Sequence, residues 1–191
     1  MFCWSKPERQ TILEFISAQR DQKFSYAEVG CSQGRAPRRY IADHHRISLG
    51  KGVETFERAK SAIGQWRMFD MPWLELCWPD TPIEPGATVA VVVSHLGFWS
   101  MNACRIVYLI DEHCSSERYG FAYGTLPDHM ERGEERFTVE FHTDDQTVWY
   151  DLYAISRPSM LARLAYPFAR ALQRRFARDS GAAMQKSVQP K

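Results

Sequence analysis

The chain has 191 residues, with 24 Lys or Arg against 23 Asp or Glu, an apolar fraction of 45% and an aromatic fraction of 13%. That length suits one domain with a sizeable core, and the composition is globular, which excludes a disordered or fibrous chain. The longest apolar stretch, Val89 to Trp99, is interrupted by Ser94 and His95; it falls well short of the roughly 20 residues a bilayer requires, so no membrane span is expected.

The opening residues, Met1 to Glu8, lack a charged segment followed by an apolar run, so no secretory signal is read and a cytoplasmic location is expected. Ser5 ahead of Pro7 and Glu8 marks a helix start, with Ile12, Phe15 and Ile16 at helical spacing up to about Gln19. Phe24 to Pro37 has no lasting period and reads as an ordered loop. Ile41, His45, Ile47 and Leu49 suggest a strand over Tyr40 to Leu49, stopped by Gly50-Lys51-Gly52. Val53, Phe56, Ala59, Ile63 and Trp66 then give one apolar face of a helix.

Beyond Met71-Pro72 the pattern turns to strands, near Trp73 to Trp78, Ala87 to Val93, Asn102 to Asp111, Arg118 to Thr125, Glu135 to His142 and Val148 to Ser156. Their connectors carry turn chemistry, such as Glu84-Pro85-Gly86 and Asp144-Asp145, as a meander of antiparallel hairpins requires. After Arg157-Pro158 a last helix, Met160 to Arg178, presents Leu161, Leu164, Phe168, Leu172 and Phe176 as an apolar stripe. Arg163, Arg170, Arg174 and Arg178 form a second stripe; Pro167 should bend the helix, and the chain after Gly181 should fray. The expected organisation is a single α+β domain over 1–184 and a flexible tail over 185–191.

An antiparallel sheet of about seven strands cannot bury its apolar concave face alone, and the last helix supplies the cover. The arrangement resembles the helix-grip architecture of the START and Bet v 1-like superfamily, in which a cavity lies between sheet and helix. Fold by itself does not give function.

Several phrases point further: Tyr26-Ala27-Glu28-Val29-Gly30, Leu49-Gly50-Lys51-Gly52, Trp66-Arg67-Met68-Phe69, and Asn102-Ala103-Cys104-Arg105-Ile106-Val107-Tyr108. The most distinctive is Arg118-Tyr119-Gly120-Phe121-Ala122-Tyr123-Gly124-Thr125-Leu126-Pro127, continuing to Glu131-Arg132-Gly133-Glu134-Glu135-Arg136-Phe137. Together with Ser156-Arg157-Pro158 and Gln173-Arg174-Arg175-Phe176, they resemble the bacterial and plant family known as domain of unknown function 1990. The resemblance runs from about Tyr26 to Met184; Ala103 stands where the family phrase has proline. It implies no activity.

The five cysteines, an odd number without a Cys-x-x-Cys pair, argue against both a disulfide framework and a zinc site. Cys104, in an apolar strand, reads as core and most of the others as buried thiols. The connection from Thr125 to Arg136 carries His129, Glu131, Glu134 and Glu135. It reads either as a solvated hairpin with surface ion pairs or, with His129, Glu131 and Glu135 as candidates, as acid–base machinery. The same three could ligate a divalent ion, but their spacing matches no metal signature, and no metal site is assigned. Adjacent His44 and His45 point to opposite faces of a strand.

Arg105 in its apolar strand reads either as a ligand anchor inside the cavity, partnered by Glu131, Glu134 or Glu135, or as an outward surface residue. Asn102, Tyr123, Tyr26, Trp66 and Arg157 complete the candidate ligand-binding set. No nucleotide-loop, nucleophile-elbow or His-Glu-x-x-His pattern occurs, so no nucleophile or cofactor is identified. The leading expectation is a binding protein for a hydrophobic or amphiphilic small molecule. The alternatives are a cyclase, lyase or hydrolase using the His129 to Glu135 loop, and an interaction or nucleic-acid module using the basic last helix. The lack of interleaved aromatics disfavours nucleic acid. The sequence does not fix the oligomeric state.

Overall fold

Alternating apolar and polar residues along the second half of the chain build a meander in which each strand pairs antiparallel with the next. The computed structural model describes residues 1–95, 97–114, 116–158 and 166–189. Its strands are β1 (Phe2–Cys3), β2 (Ile41–Lys51), β3 (Leu74–Cys77), β4 (Thr88–Ser94), β5 (Trp99–His113), β6 (Ser116–Thr125), β7 (Glu131–His142) and β8 (Thr147–Pro158). Its helices are α1 (Arg9–Gln19), α2 (Val53–Gly64) and α3 (Tyr166–Ser187), with 3-10 turns at Cys31–Gln33 and Arg67–Phe69.

The sheet order is β2-β8-β7-β6-β5-β4-β3, with the short β1 pairing to β5 beside this path. Only β2 needs a long return: α2 and the 3-10 turn carry the chain from that edge to β3 at the other. Register shifts at Ser48/Gly50 in β2 and at Ile106/Tyr108 in β5 mark irregularities that bend long strands. Such bulges sharpen twist, and the sheet curls. The β7–β8 turn is fixed locally, Asp145 accepting from both the backbone N–H (3.0 Å) and the hydroxyl (2.6 Å) of Thr147.

Two cores flank the sheet. The larger, on the concave face, gathers Phe121, Phe137, Val139, Tyr150 and Leu152 from the strands, Phe56, Ala59 and Ile63 from α2, and Ala177 and Met184 from α3. Phe56, Ala59 and Ile63 recur at helical spacing, which is why α2 buries one side; Val53, expected on that face, is exposed at the first helical residue. On the convex face, Ile12, Phe15 and Ile16 of α1 pack against Ala90, Val92, Met101, Ala103 and Leu126. Each such side chain contributes about 1.5–3 kcal/mol on burial, enough to hold a helix that lacks a side-chain cap.

Four expectations are corrected here. The first helix begins at Arg9, with Glu8 and not Ser5 at its cap position. The Thr125 to Arg136 connection is mostly strand, because β7 starts at Glu131. Of the five thiols only Cys77 and Cys104 are buried; Cys3 and Cys31 are partly covered and Cys114 is exposed.

The fourth concerns α3, which does not fray after Gly181 but continues to Ser187. Met184 is fully buried and Ser180 is hydrogen-bonded to the Tyr150 hydroxyl at 2.8 Å. Burial of Ala183, Met184 and Val188 holds this end of the helix against the sheet. Leu161, Arg163 and Leu164 of the expected stripes lie outside the described residues, and Pro167 falls in the first described turn.

Candidate functional site

Between the concave face, α3 and the 3-10 turn lies a cavity of about 110 Å³. Its apolar wall comes from Phe69, Trp73, Leu74, Val91, Val93, Leu172 and Phe176. Its polar lining comes chiefly from two strands on either side of β6: Ser100 and Asn102 of β5, and Glu131 and Glu135 of β7. Tyr123 of β6, His129 of the β6–β7 loop, Gln173 of α3 and His95 complete it.

Strand period explains the selection. Ser100, Asn102 and Cys104 share the concave side of β5, and Glu131 and Glu135 share that of β7. Thus Asn102, Tyr123, His129, Glu131 and Glu135, separate expectations from the sequence, are brought to one cavity.

The Tyr123 hydroxyl donates to Glu135 Oε2 at 2.5 Å. Burial pushes the Glu135 carboxyl up from its ordinary 4.5 to about 7, with the Tyr123 bond opposing and the negative charges of Glu131 and Asp43 adding to the rise. Burial likewise raises Glu131. Gln173 tethers it: Nε2 donates to Glu131 Oε1 at 2.5 Å, while Oε1 accepts from Arg170 at 2.7 Å. The Arg170 guanidinium in turn grips both carboxylate oxygens of Asp43, with Nη2 to Oδ1 at 2.6 Å. A relay from β2 through α3 to β7 thereby orients the cavity carboxyl and pins the helix to the sheet edge.

His129 Nδ1 meets the Glu131 backbone twice, the N–H at 3.0 Å and the carbonyl at 3.1 Å, contacts that suit either neutral tautomer. Burial lowers its pKa to about 4, so the ring is uncharged at neutral pH. Asn102 spans the neighbouring strands, donating to Val91 O at 3.4 Å and to Ser100 Oγ at 3.1 Å, while the Met130 N–H donates to its Oδ1 at 3.4 Å. His95 holds Ser100 through Nε2 at 2.8 Å, and its buried Nδ1 has no partner among the described residues.

The remaining candidates lie elsewhere. Arg105, three residues from Asn102, faces the convex side, where it donates to Gln19 O (2.9 Å), Arg20 O (2.5 Å) and Gln22 O (2.9 Å) and lies over the Phe24 ring. It closes the C-terminal end of α1 and meets neither Glu131, Glu134 nor Glu135. Arg157 lies over the Tyr40 ring at 5.2 Å, outside the cavity lining. Trp66 is core, its indole N–H bonded to Thr81 O at 3.0 Å and its ring 4.9 Å from Phe121.

Tyr26 is also on the convex side, where it helps to satisfy Glu134, which is 2% exposed. Glu134 accepts from the Tyr26 hydroxyl (2.7 Å), Gly30 N (2.5 Å), and the N–H (2.9 Å) and hydroxyl (2.6 Å) of Ser32. A buried carboxylate is tolerable only with such a shell, and here it fastens the Tyr26–Gln33 loop. Gly124 makes room for that loop, since a Cβ there would stand 2.1 Å from the Tyr26 hydroxyl.

Gln173, Ser100, His95 and Phe69 were not singled out from the sequence. Gln173 had a signal: one polar residue at helical spacing among Ala169, Leu172 and Phe176. Ser100 also had one, two residues before Asn102 on the same face.

The model for the family described as "Domain of unknown function (DUF1990)" matches residues 25–183. The chain belongs to the DUF1990 family. Relatives of this DUF1990 chain include a UPF0548 protein of Dictyostelium discoideum, 36% identical over 98% of this chain and 96% of its own length. Another UPF0548 protein, from Deinococcus radiodurans, is 39% identical over 93% and 94%. Among solved structures, a Thalictrum norcoclaurine synthase point mutant in complex with a transition-state analogue aligns with 82% of the DUF1990 chain and 97% of its own. Its TM-score is 0.51 at 12% identity, a likeness of fold alone. Among the described residues of the DUF1990 chain no helix is long and apolar enough to cross a membrane.

Proposed function

We propose that this protein binds a small amphiphilic molecule in the cavity beneath α3. The observation that carries the reading is the convergence of Glu131, Glu135, Tyr123 and Asn102 on one cavity whose other walls are apolar. Such a lining orients a polar head and buries an apolar body. Size limits the occupant. A volume of about 110 Å³ is below the roughly 300–1,000 Å³ of drug-sized pockets and nearer the scale at which a buried site takes a single ring. Phe69, Trp73 and Phe176 fill much of the remaining space under the helix.

The test is native mass spectrometry of protein purified from its own host, alongside Leu172→Trp, which fills the cavity. A co-purified small molecule present on the natural protein and absent from the variant is expected. Equal occupancy of both, or no molecule on either with no saturable binding of ring-sized probes, sinks the reading.

A second reading is acid–base catalysis on the bound molecule, favoured by a Glu135 carboxyl raised to about 7 and hydrogen-bonded to Tyr123. Retained binding with lost turnover in Glu135→Gln supports this reading, and unchanged turnover removes it. The nucleic-acid alternative has less support, because Arg170, Arg175 and Arg178 are engaged within the chain, with Asp43, Trp73 and Asp179 respectively.

A further inference from the structure

The cavity has an asymmetry of charge. Among the described residues that line it there are two carboxyl side chains, Glu131 and Glu135, and neither Lys nor Arg. The nearby Asp43 and Arg170 are paired with each other; Arg170 offsets part of the charge of Glu131, whereas Glu135 feels only the negative charges of Glu131 and Asp43. The two histidines of the lining have their pKa values lowered by burial, which favours the uncharged rings.

The hydrogen-bond inventory points the same way. Glu135 receives the Tyr123 hydroxyl, and Glu131 receives Gln173 and the Ser156 side chain. A carboxylate accepts about four hydrogen bonds, so both retain acceptor capacity. The lining includes the Phe69, Tyr123 and Phe176 rings, and an aromatic face attracts a cation and not an anion.

We propose that the cavity selects a small organic cation, a primary or secondary ammonium head on an apolar body of about one ring. The inference rests on the reading of the cavity as a binding site and names the class of its occupant. An ammonium group supplies positive charge, which no side chain of the lining provides, together with donors for the remaining acceptor sites of the carboxyls. A carboxylate or phosphate head would face two carboxyls without a counter-charge. A neutral alcohol would satisfy one acceptor and leave the charge in place.

The groups packed around Glu135 from the other elements are Cys104 (β5), Tyr123 (β6), Glu131 (β7), Tyr150 (β8), Asp43 and His45 (β2), and Arg174 with Arg170 on α3. The two arginines lie toward the β2 edge, outside the cavity lining. A bound ammonium favours the ionised form of Glu135, so its binding expels a proton and tightens as pH rises from 6 to 8, while the amine itself stays protonated.

The experiment titrates the full chain, by ¹⁵N NMR at pH 8, with benzylamine, benzyl alcohol and benzoate, which share a ring and differ in head. Benzylamine is expected to bind at least tenfold more tightly than benzyl alcohol, and benzoate not to saturate. Its affinity should fall at pH 6. Glu135→Gln and Glu131→Gln should each narrow the amine preference to within about threefold while benzyl alcohol binding is kept.

A preference under tenfold, or benzyl alcohol or benzoate binding as well as the amine, overturns the inference and leaves the binding reading standing. Binding of none of the three overturns both. If Glu135→Gln does not fold, the charge series and pH profile on the natural protein, together with Glu131→Gln, decide the matter.

Discussion

Replacing Glu135 by Gln should make the protein more stable at pH 8 and leave it unchanged near pH 4.5. In the folded state the carboxyl holds its proton up to about 7, against an ordinary value of 4.5. The folded state therefore binds the proton more tightly than the unfolded chain, and the stability this gives is complete below 4.5 and lost as pH rises through 7. At about 1.4 kcal/mol per pH unit, the interval corresponds to at most about 3.5 kcal/mol. Water reaching the carboxyl through the cavity reduces this, so about 1–3 kcal/mol is expected.

In Glu135→Gln the amide oxygen still accepts from Tyr123 and no charge forms, so the variant escapes the loss. For a chain of this length the gain at pH 8 corresponds to a Tm higher by roughly 3–10 °C. Urea unfolding of both proteins at pH 4.5 and pH 8 measures it, and the other titrating groups cancel in the difference. A gap of the same size at both pH values, or a variant less stable at pH 8, refutes the reasoning.

Arg105→Ala removes the donor of three bonds to the carbonyls that end α1 and should lower stability by about 1–3 kcal/mol. Binding in the cavity should be unaltered, and a loss of benzylamine or benzyl alcohol binding in the folded variant would show that the convex assignment misses a role. Met184→Ala should lower stability by about 2–5 kcal/mol, the range for emptying a buried site; a change under 0.5 kcal/mol in urea unfolding would mean that this end of α3 does not bear on the core.

The sequence by itself determined the element order, apart from the short β1, and the cover of one sheet face by the last helix. Strand alternation and helical spacing are local, and they hold wherever the chain is. The candidate set drawn from the sequence nevertheless put Asn102 and Arg105 in one cavity and treated Glu134 and Glu135 alike, although strand alternation sends residues three apart, or adjacent, to opposite faces. The extent of α3 was less legible, because Gly181 and the small residues around it look like a helix end until Ile47 and Tyr150 are seen packing against them.

Only the tertiary structure decided which carboxyl is a cavity wall and which is a fastening. Glu134 and Glu135 are neighbours of the same type. The first is enclosed by a loop from over 100 residues away that supplies its donors, while the second meets one tyrosine and open cavity. The same holds for Gln173, whose position on an apolar stripe is visible in the sequence but whose link from Asp43 to Glu131 is not. Periodicity tells a side chain which face to take; what waits on that face, and therefore its protonation and its use, is set by segments distant in the chain.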